Sequence, residues 1–341
     1  MIIRSKAPLR LGLAGGGTDV NPYCDDYGGI VLNATIDQYV HCTIIENNFN
    51  TLEFIALDID KKEKYDTIQI LPYNGILDLH KCIYNTIIKL YNINYPLSFV
   101  MYTYSDAPPG SGLGSSSTLV VSIIKCFVEW LSLPLGEYDI ANLAYKIERI
   151  ELALNGGKQD QYAATFGGFN YIEFFANDNV VVNPLRLKNW IIDELEASII
   201  LYYTGASRSS AMIIDDQQKN ANNSITTEAL HSLKQSAIIL KNALLKGDID
   251  TFAEIIGSSW NHKKKLSKLI TNKSINLIFE AALNAGAISG KVSGAGGGGF
   301  IIFVVNPINR IKVLNSLEPF LGKVINFHFS KSGSHSWKIY K

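Results

Sequence analysis

The segment Pro108-Pro109-Gly110-Ser111-Gly112-Leu113-Gly114-Ser115-Ser116-Ser117-Thr118 alternates three glycines and then sets four hydroxyl residues at the head of an apolar-periodic stretch. Glycine lets a main chain approach a ligand closely, and N–H groups leading into a helix N-terminus attract phosphate oxygens. The serine hydroxyls are placed to add donors or an oxygen ligand for Mg2+. A plain glycine turn with Ser115 or Ser116 capping the helix is the competing reading. Four successive hydroxyls favour phosphate over that turn.

Two further glycine clusters flank this one in the chain. Gly294-Ala295-Gly296-Gly297-Gly298-Gly299 contains GxGxxG but leads into Phe300-Ile301-Ile302-Phe303-Val304-Val305, a strand pattern, whereas a dinucleotide fingerprint opens a helix. Gly290-Lys291 lacks the glycine and hydroxyl residue of a Walker A loop, because Ala285 and Val292 stand there. Both common nucleotide fingerprints are therefore excluded. In Leu13-Ala14-Gly15-Gly16-Gly17-Thr18-Asp19 the glycines would admit a ligand, and Thr18 and Asp19 are placed to bond sugar hydroxyls; an ordinary turn capped by Asp19 is the alternative. Glu148 and Asp160, twelve residues apart, are separated by a helix end and a glycine reversal, a path that can return both to one cleft. Taken singly, Asp160 as a helix cap and Glu148 paired with a surface lysine stay open.

The elements that must position these residues follow from periodicity. Strands are expected over Tyr39 to Ile45 and Ser98 to Tyr104, and helices over Ser117 to Leu131 and Ile140 to Leu154, the latter stopped by Asn155-Gly156-Gly157. Tyr171 to Phe175 and Val180 to Val182 flank Asn177-Asp178-Asn179 as a hairpin, and Pro184 to Asn189 is the expected crossing between domains. Beyond it come a strand from Ser198 to Tyr203, a helical region over about 211–285, and then strands at Ile288 to Val292, Phe300 to Val305 and Lys323 to Phe329 with a helix around Ile308 to Phe320. This is an α+β chain of two domains, 1–189 and 190–341, a division that suits 341 residues.

Composition bounds the rest. Apolar residues at 47% and charged residues at 18% belong to a globular chain, and 31 basic against 31 acidic residues leave no net field for nucleic acid. No apolar run reaches the length of a membrane span, and the sequence shows no signal peptide. Four cysteines without CxxC spacing are expected as reduced thiols, which suggests a cytoplasmic protein. The six histidines have no zinc-type spacing. Lys263-Lys264-Lys265 reads as a solvated helix face.

The ordered set Ala7-Pro8-Leu9-Arg10 with Gly15 to Asp19, Pro109 to Ser117, and Lys291-Val292-Ser293 with Gly294 to Gly299 resembles the GHMP kinase superfamily, named for galactokinase, homoserine kinase, mevalonate kinase and phosphomevalonate kinase. The resemblance spans nearly the whole chain. It implies a ribosomal-protein-S5-like N-terminal domain, a ferredoxin-like C-terminal domain and an active site between them, working with ATP and Mg2+. Within the superfamily, Gly15-Gly16-Gly17-Thr18-Asp19, Lys158-Gln159-Asp160-Gln161-Tyr162-Ala163-Ala164 with Phe166-Gly167-Gly168-Phe169-Asn170, and Thr204-Gly205-Ala206-Ser207-Arg208 resemble the D-glycero-α-D-manno-heptose 7-phosphate kinases. These act on the anomeric hydroxyl and supply nucleotide-activated heptose for bacterial surface polysaccharide.

Roles are implied position by position. Pro109, Gly110, Ser111, Gly112, Leu113, Gly114, Ser115, Ser116 and Ser117 would wrap the ATP phosphates, with Ser116 and Glu148 on Mg2+. Asp160 would be the catalytic base and Arg10 its cationic partner. Gly16, Gly17, Thr18 and Asp19 would meet the sugar, and Gly296 and Gly297 would close over the reacting centre. Gly16-Gly17 stands where the galactokinase form has Glu-His, which argues against galactose. A phosphorylated acceptor needs cations for its distal phosphate, for which Lys158 and Arg208 are candidates, solvated surface charge being their alternative. The expected partners are a small sugar phosphate and ATP, with no nucleic acid and no membrane, as a monomer or homodimer. A kinase of another sugar, of fucose or mannose type, and a noncatalytic sugar and ATP sensor are the competing functions.

Overall fold

The computed structural model describes residues 1–67, 70–205, 210–219 and 223–340. Among these, two sheets carry the chain. The large one is built from β1 (Ile2–Ala14), β2 (Gly29–Glu46), β3 (Thr51–Ala56), β4 (Lys61–Asp66), β5 (Phe99–Ser105), β6 (Phe169–Phe174), β7 (Val180–Pro184) and β12 (His335–Ile339). Its order is β12-β1-β2-β5-β3-β4, with β6 on the other half of β2 and β7 beyond it; only β3 and β5 pair in parallel. β2 can serve two neighbours because it runs for 18 residues, bonding β6 with Gly29–Ala34 and β5 with Val40–Glu46. The smaller sheet is antiparallel, β11-β8-β10-β9, from β8 (Ile199–Tyr203), β9 (Ala287–Val292), β10 (Phe300–Val305) and β11 (Lys323–Ile325).

Helices α1 (Tyr23–Tyr27), α2 (Asp78–Leu90), α3 (Ser115–Leu131), α4 (Glu137–Lys146) and α5 (Gln159–Phe166) belong to the first half. α6 (Asn189–Ser198), α7 (Ser210–Lys219), α8 (Ser224–Lys246), α9 (Ile249–Lys263), α10 (Lys273–Asn284) and α11 (Arg310–Leu317) belong to the second. One core lies under α2 and α3, around Ile44, Phe54, Phe99 and Phe127. A second joins the two sheets through α8 and α9, with Leu9, Leu11 and Leu13 meeting Leu240, Phe252 and Ile302. Apolar burial of this kind, roughly 25 cal/mol per Å2, holds the two halves against each other. The α+β architecture is the one expected.

Several elements differ from the sequence reading. The helix expected to run from Ile140 to Leu154 ends its α-helical part at Lys146 and continues as a π turn, Ile147–Glu151. Its left-handed stop is Ala153 at φ 50° rather than the Asn155-Gly156-Gly157 run. The strand expected over Lys323 to Phe329 keeps only three residues, followed by a single bridge from Phe329 to Ile36. The last strand, β12, returns to pair with β1, so the chain's end rejoins the large sheet. The division between residues 189 and 190 stands as a proposal about domain organisation.

One local feature of β1 aims the site. Ser5 bonds the Ser122 carbonyl of α3 at 2.6 Å, whereas Arg10 bonds Asp160 of α5, so an odd and an even position face the same helix layer. The faces exchange at the register shift between Pro8 and Arg10, since one slip in a strand turns every later side chain over. Pro8, which has no N–H to give a ladder, sits at that break.

Candidate active site

Three glycine turns and the N-termini of α3 and α5 converge on one cleft of about 310 Å3, the size of a small-ligand site. Gly110, Gly112, Gly114, Ser115, Ser116 and Ser117 line one side, Gly16, Gly17 and Asp19 another, and Gly294 and Ala295 close the third. The serines do not cap α3. Gly114, at φ 79°, is the N-cap residue, so the first-turn N–H groups of α3 stay available at the cleft. Pro109 is exposed beside this turn, while Ser111 and Leu113 are buried under it and line no part of the cleft.

Arg10 and Asp160 meet at the floor. Nε and Nη2 of Arg10 both lie 2.7 Å from Asp160 Oδ1, and Nη1 donates to the Gly112 carbonyl at 2.8 Å. Asp160 occupies the first turn of α5 rather than its cap, and its side chain is 21% exposed, with Oδ2 unpartnered among the described residues. The phosphate-type turn is tight against it: a Cβ on Gly114 would lie 3.0 Å from Asp160 Cγ.

Glu148 is no surface residue. At 1% exposure it accepts from Ser116 Oγ at 3.0 Å on Oε1 and from Gln161 Nε2 at 2.5 Å on Oε2. Gln161 also donates to Ser117 at 3.1 Å. Glu148 and its neighbour Arg149, both in the π turn, line the cleft. Ser116 and Glu148 offer two adjacent oxygen donors, the donor type that Mg2+ takes. Among the described residues no cluster of three His, Cys, Asp or Glu side chains exists to cage a metal, so the remaining positions of such an ion would fall to phosphate oxygens and water.

The Gly15–Asp19 turn departs from its expected role in part. Thr18 is fully buried, donating to the Gly15 and Ile30 carbonyls and accepting from the Ile30 N–H, so its hydroxyl serves the turn and does not reach the cleft. Asp19 does line it, with Oδ1 bonded to Gly17 N–H and Gln159 Nε2, and Oδ2 to Gln159 N–H. Lys158 lies elsewhere: 2% exposed, it pairs with Asp178 at 2.7 Å, and although burial opposes its charge the Asp178 carboxylate raises its pKa. Gly296 and Gly297 pack on Ile270, away from the lining. Arg208 lies outside the described residues.

Two lysines that were not expected at the site are present. Lys263, read above as part of a solvated helix face, is 7% exposed and lines the cleft. Its spacing was the signal, because Phe252, Ile256, Ser259, Trp260 and Lys263 form the buried stripe of α9 while Lys264 and Lys265 fall off it. Burial, with Arg10 adding, lowers Lys263 to about 8. Lys291, on β9, is also buried, donates to the Leu13 carbonyl at 2.9 Å and has its pKa pushed well down by burial and then by Lys263 and Arg10. The four cysteines are free and buried, and no helix among the described residues is long and apolar enough to cross a membrane.

Known proteins resemble the chain over most of its length. The family model for the GHMP kinases N terminal domain matches residues 78–168, and the model for GHMP kinases C terminal matches 240–322. The chain is 50% identical over 337 residues, 99% of both chains, to a D-glycero-alpha-D-manno-heptose 7-phosphate kinase of Campylobacter jejuni subsp. jejuni serotype O:2. A crystal structure of a D-glycero-D-manno-heptose 1-phosphate kinase from Bacteroides thetaiotaomicron superposes with a TM-score of 0.85 at 50% identity, covering 99% of this chain and 100% of that one. The Methanococcus jannaschii mevalonate kinase shares the fold, at 20% identity and a TM-score of 0.77, covering 97% and 98% of the two chains. A cleft of interlocked glycine turns around an arginine–aspartate pair, on a chain half identical to such relatives over its full length, makes this protein a member of the GHMP kinase family.

Proposed function

We propose that this kinase transfers the γ-phosphoryl group of ATP to the anomeric hydroxyl of D-glycero-D-manno-heptose 7-phosphate, forming the 1,7-bisphosphate used in nucleotide-activated heptose synthesis for a bacterial surface polysaccharide. The observation that carries the reading is the Arg10–Asp160 pair, 2.7 Å apart and in contact with the Gly110–Ser117 turn. The Campylobacter relative supports the choice of acceptor.

In this reading the N–H groups and hydroxyls of Gly110 to Ser117 hold the donor's phosphates at the head of α3. Ser116 and Glu148 would hold Mg2+, which neutralises phosphate charge when bound. Gln161 fixes the unshared oxygen of Glu148. Asp160 takes the proton of the C1 hydroxyl on Oδ2 as that oxygen bonds to the γ-phosphorus and the bond from phosphorus to the bridging β,γ oxygen breaks, releasing ADP. Arg10 occupies Oδ1, so only one oxygen of the base is free to turn toward the acceptor. Its Nη1 bond to Gly112 ties the base to the phosphate turn, which fixes attacking and leaving groups in one frame. Asp19 and Gln159 form the acceptor side.

The test is ADP release with MgATP against D-glycero-D-manno-heptose 7-phosphate, mannose, fucose, galactose and a blank without acceptor. Turnover confined to the heptose phosphate, with the new phosphate placed at C1 by 31P NMR, is the expected result. Turnover on another sugar retains the kinase and discards the heptose; silence on every acceptor favours a noncatalytic sensor.

A further inference from the structure

Two buried ammonium groups in the cleft make no direct contact with a carboxylate among the described residues. Lys263 donates to the Gly294 carbonyl oxygen and Lys291 to that of Leu13, and among the described residues neither is in an ion pair. The acidic side chains that share their surroundings are already engaged, Asp160 by Arg10 and Asp19 by Gly17 and Gln159. A charge withdrawn from water is costly to hold unless it is paired. Burial disfavours both ammonium charges; Arg10 adds to this at Lys263, against the opposing pull of Asp19 and Asp160, and Lys263 and Arg10 add to it at Lys291, so an anion entering beside these cations gains favourable pairing.

Lys263 faces the acceptor side. A Cβ on Gly16 would lie 3.8 Å from Lys263 Nζ and 3.7 Å from Gln159 Nε2, so the missing side chain at position 16 leaves the ammonium open above the Gly15–Asp19 turn. The other cation weighed for an acceptor phosphate within the described residues, Lys158, is already paired with Asp178.

Resting on the sugar-phosphate kinase reading above, we infer that Lys263 is a specificity-determining residue: its ammonium, standing over Gly16, takes the phosphate that the acceptor already carries, with Lys291 adding positive potential behind it. A lysine suits this place because a mobile point charge can follow a phosphate on a flexible side arm. The glycine at 16 and the lysine at 263 then work as a pair, one vacating the space that the other serves.

The test is calorimetric titration, without nucleotide, of D-glycero-D-manno-heptose 7-phosphate and of the same heptose without its phosphate into the wild type, Lys263→Met and Lys263→Arg. The wild type is expected to bind the phosphorylated sugar at least about tenfold tighter, the scale of one charge-assisted contact, with Lys263→Met losing most of that ratio and Lys263→Arg keeping it. A pH series on the wild type and Lys263→Arg decides the matter even if Lys263→Met does not fold. The groups facing Lys263 are Arg10 from β1, Asp19 from the turn after it, Asp160 from α5 and Lys291 from β9. Lys263 is charged below about 8, so the wild-type ratio should fall as pH rises through 8 while the arginine variant's does not. A full ratio retained in Lys263→Met, or equal losses for both sugars, overturns the inference. A wild type that does not prefer the phosphorylated sugar instead removes the sugar-phosphate reading on which it rests.

Discussion

Gly112 and Gly294 meet backbone to backbone: a Cβ on Gly112 would lie 2.6 Å from the Ser293 carbonyl oxygen, and one on Gly294 would lie 2.6 Å from that of Gly112. Both residues hold positive φ, 80° and 72°. Glycine is required twice over at this contact, by backbone conformation and by the space left between a turn of the first half and a turn of the second.

Alanine at either position is therefore expected to cost more than the roughly 1–2 kcal/mol of a left-handed residue and to cut turnover sharply. Gly75 is the control, since it has φ 86° but nothing within 4 Å of its Cβ position. Gly75→Ala should carry only the backbone cost and keep full activity, as chemical denaturation and ADP release would show. Equal effects at all three glycines would mean that the contact between the turns does not matter.

Asp160→Asn is expected to lower kcat by at least on the order of 10²-fold, the lower range for a general base. Because Arg10 acts on the same oxygen, Arg10→Met and Asp160→Asn should be far from additive, the double variant being only slightly slower than Asp160→Asn. Multiplying effects in single-turnover measurements would show that Arg10 works independently of the base.

Gln161 holds Glu148 through a 2.5 Å hydrogen bond without lining the cleft. Gln161→Leu should raise the Mg2+ concentration needed for half-maximal turnover by roughly 10–100-fold, as loss of a partner behind a metal ligand commonly does. Magnesium titrations at saturating ATP would read this. An unchanged requirement with reduced kcat would place Gln161 in packing alone.

His80 is buried on α2, with Nε2 2.8 Å from Thr103 Oγ1, and burial followed by the Lys81 charge lowers it from 6.5 to about 4. The unfolded chain therefore takes up its proton before the folded one does. Stability contributed by neutral His80 is complete above 6.5 and is lost as pH falls toward 4, by up to roughly 3 kcal/mol. Urea denaturation from pH 7 to 4 should show that His80→Gln flattens this loss. Parallel curves for the two proteins would assign the acid sensitivity to other groups.

The glycine turns that line the cleft were legible along the chain because glycine clusters and their following hydroxyls act through the backbone, which local sequence controls. Pro109 to Ser117 opens α3, Phe300 to Val305 is a strand, and Glu148 and Asp160 do return to one cleft. Strands β1, β3, β4 and β12 and helices α1, α2 and α6 were not recognised. β4, for example, is Lys-Lys-Glu-Lys-Tyr-Asp, whose mostly exposed residues have no apolar alternation to announce a strand.

What the tertiary structure alone decided is which side chains spend themselves on the fold and which remain for a ligand. Thr18 and Lys158 have the right chemistry for a sugar phosphate, yet the Gly15–Asp19 turn consumes the hydroxyl and Asp178 consumes the ammonium. Lys263 carries the same charge as Lys264 and Lys265, and a single helical angle sends it inward to the cleft. Residue type and spacing are set within a few neighbours in the chain, but partners are chosen across it: Arg10 and Asp160 are separated by 150 positions, and the register shift after Pro8 in β1 turns Arg10 toward α5.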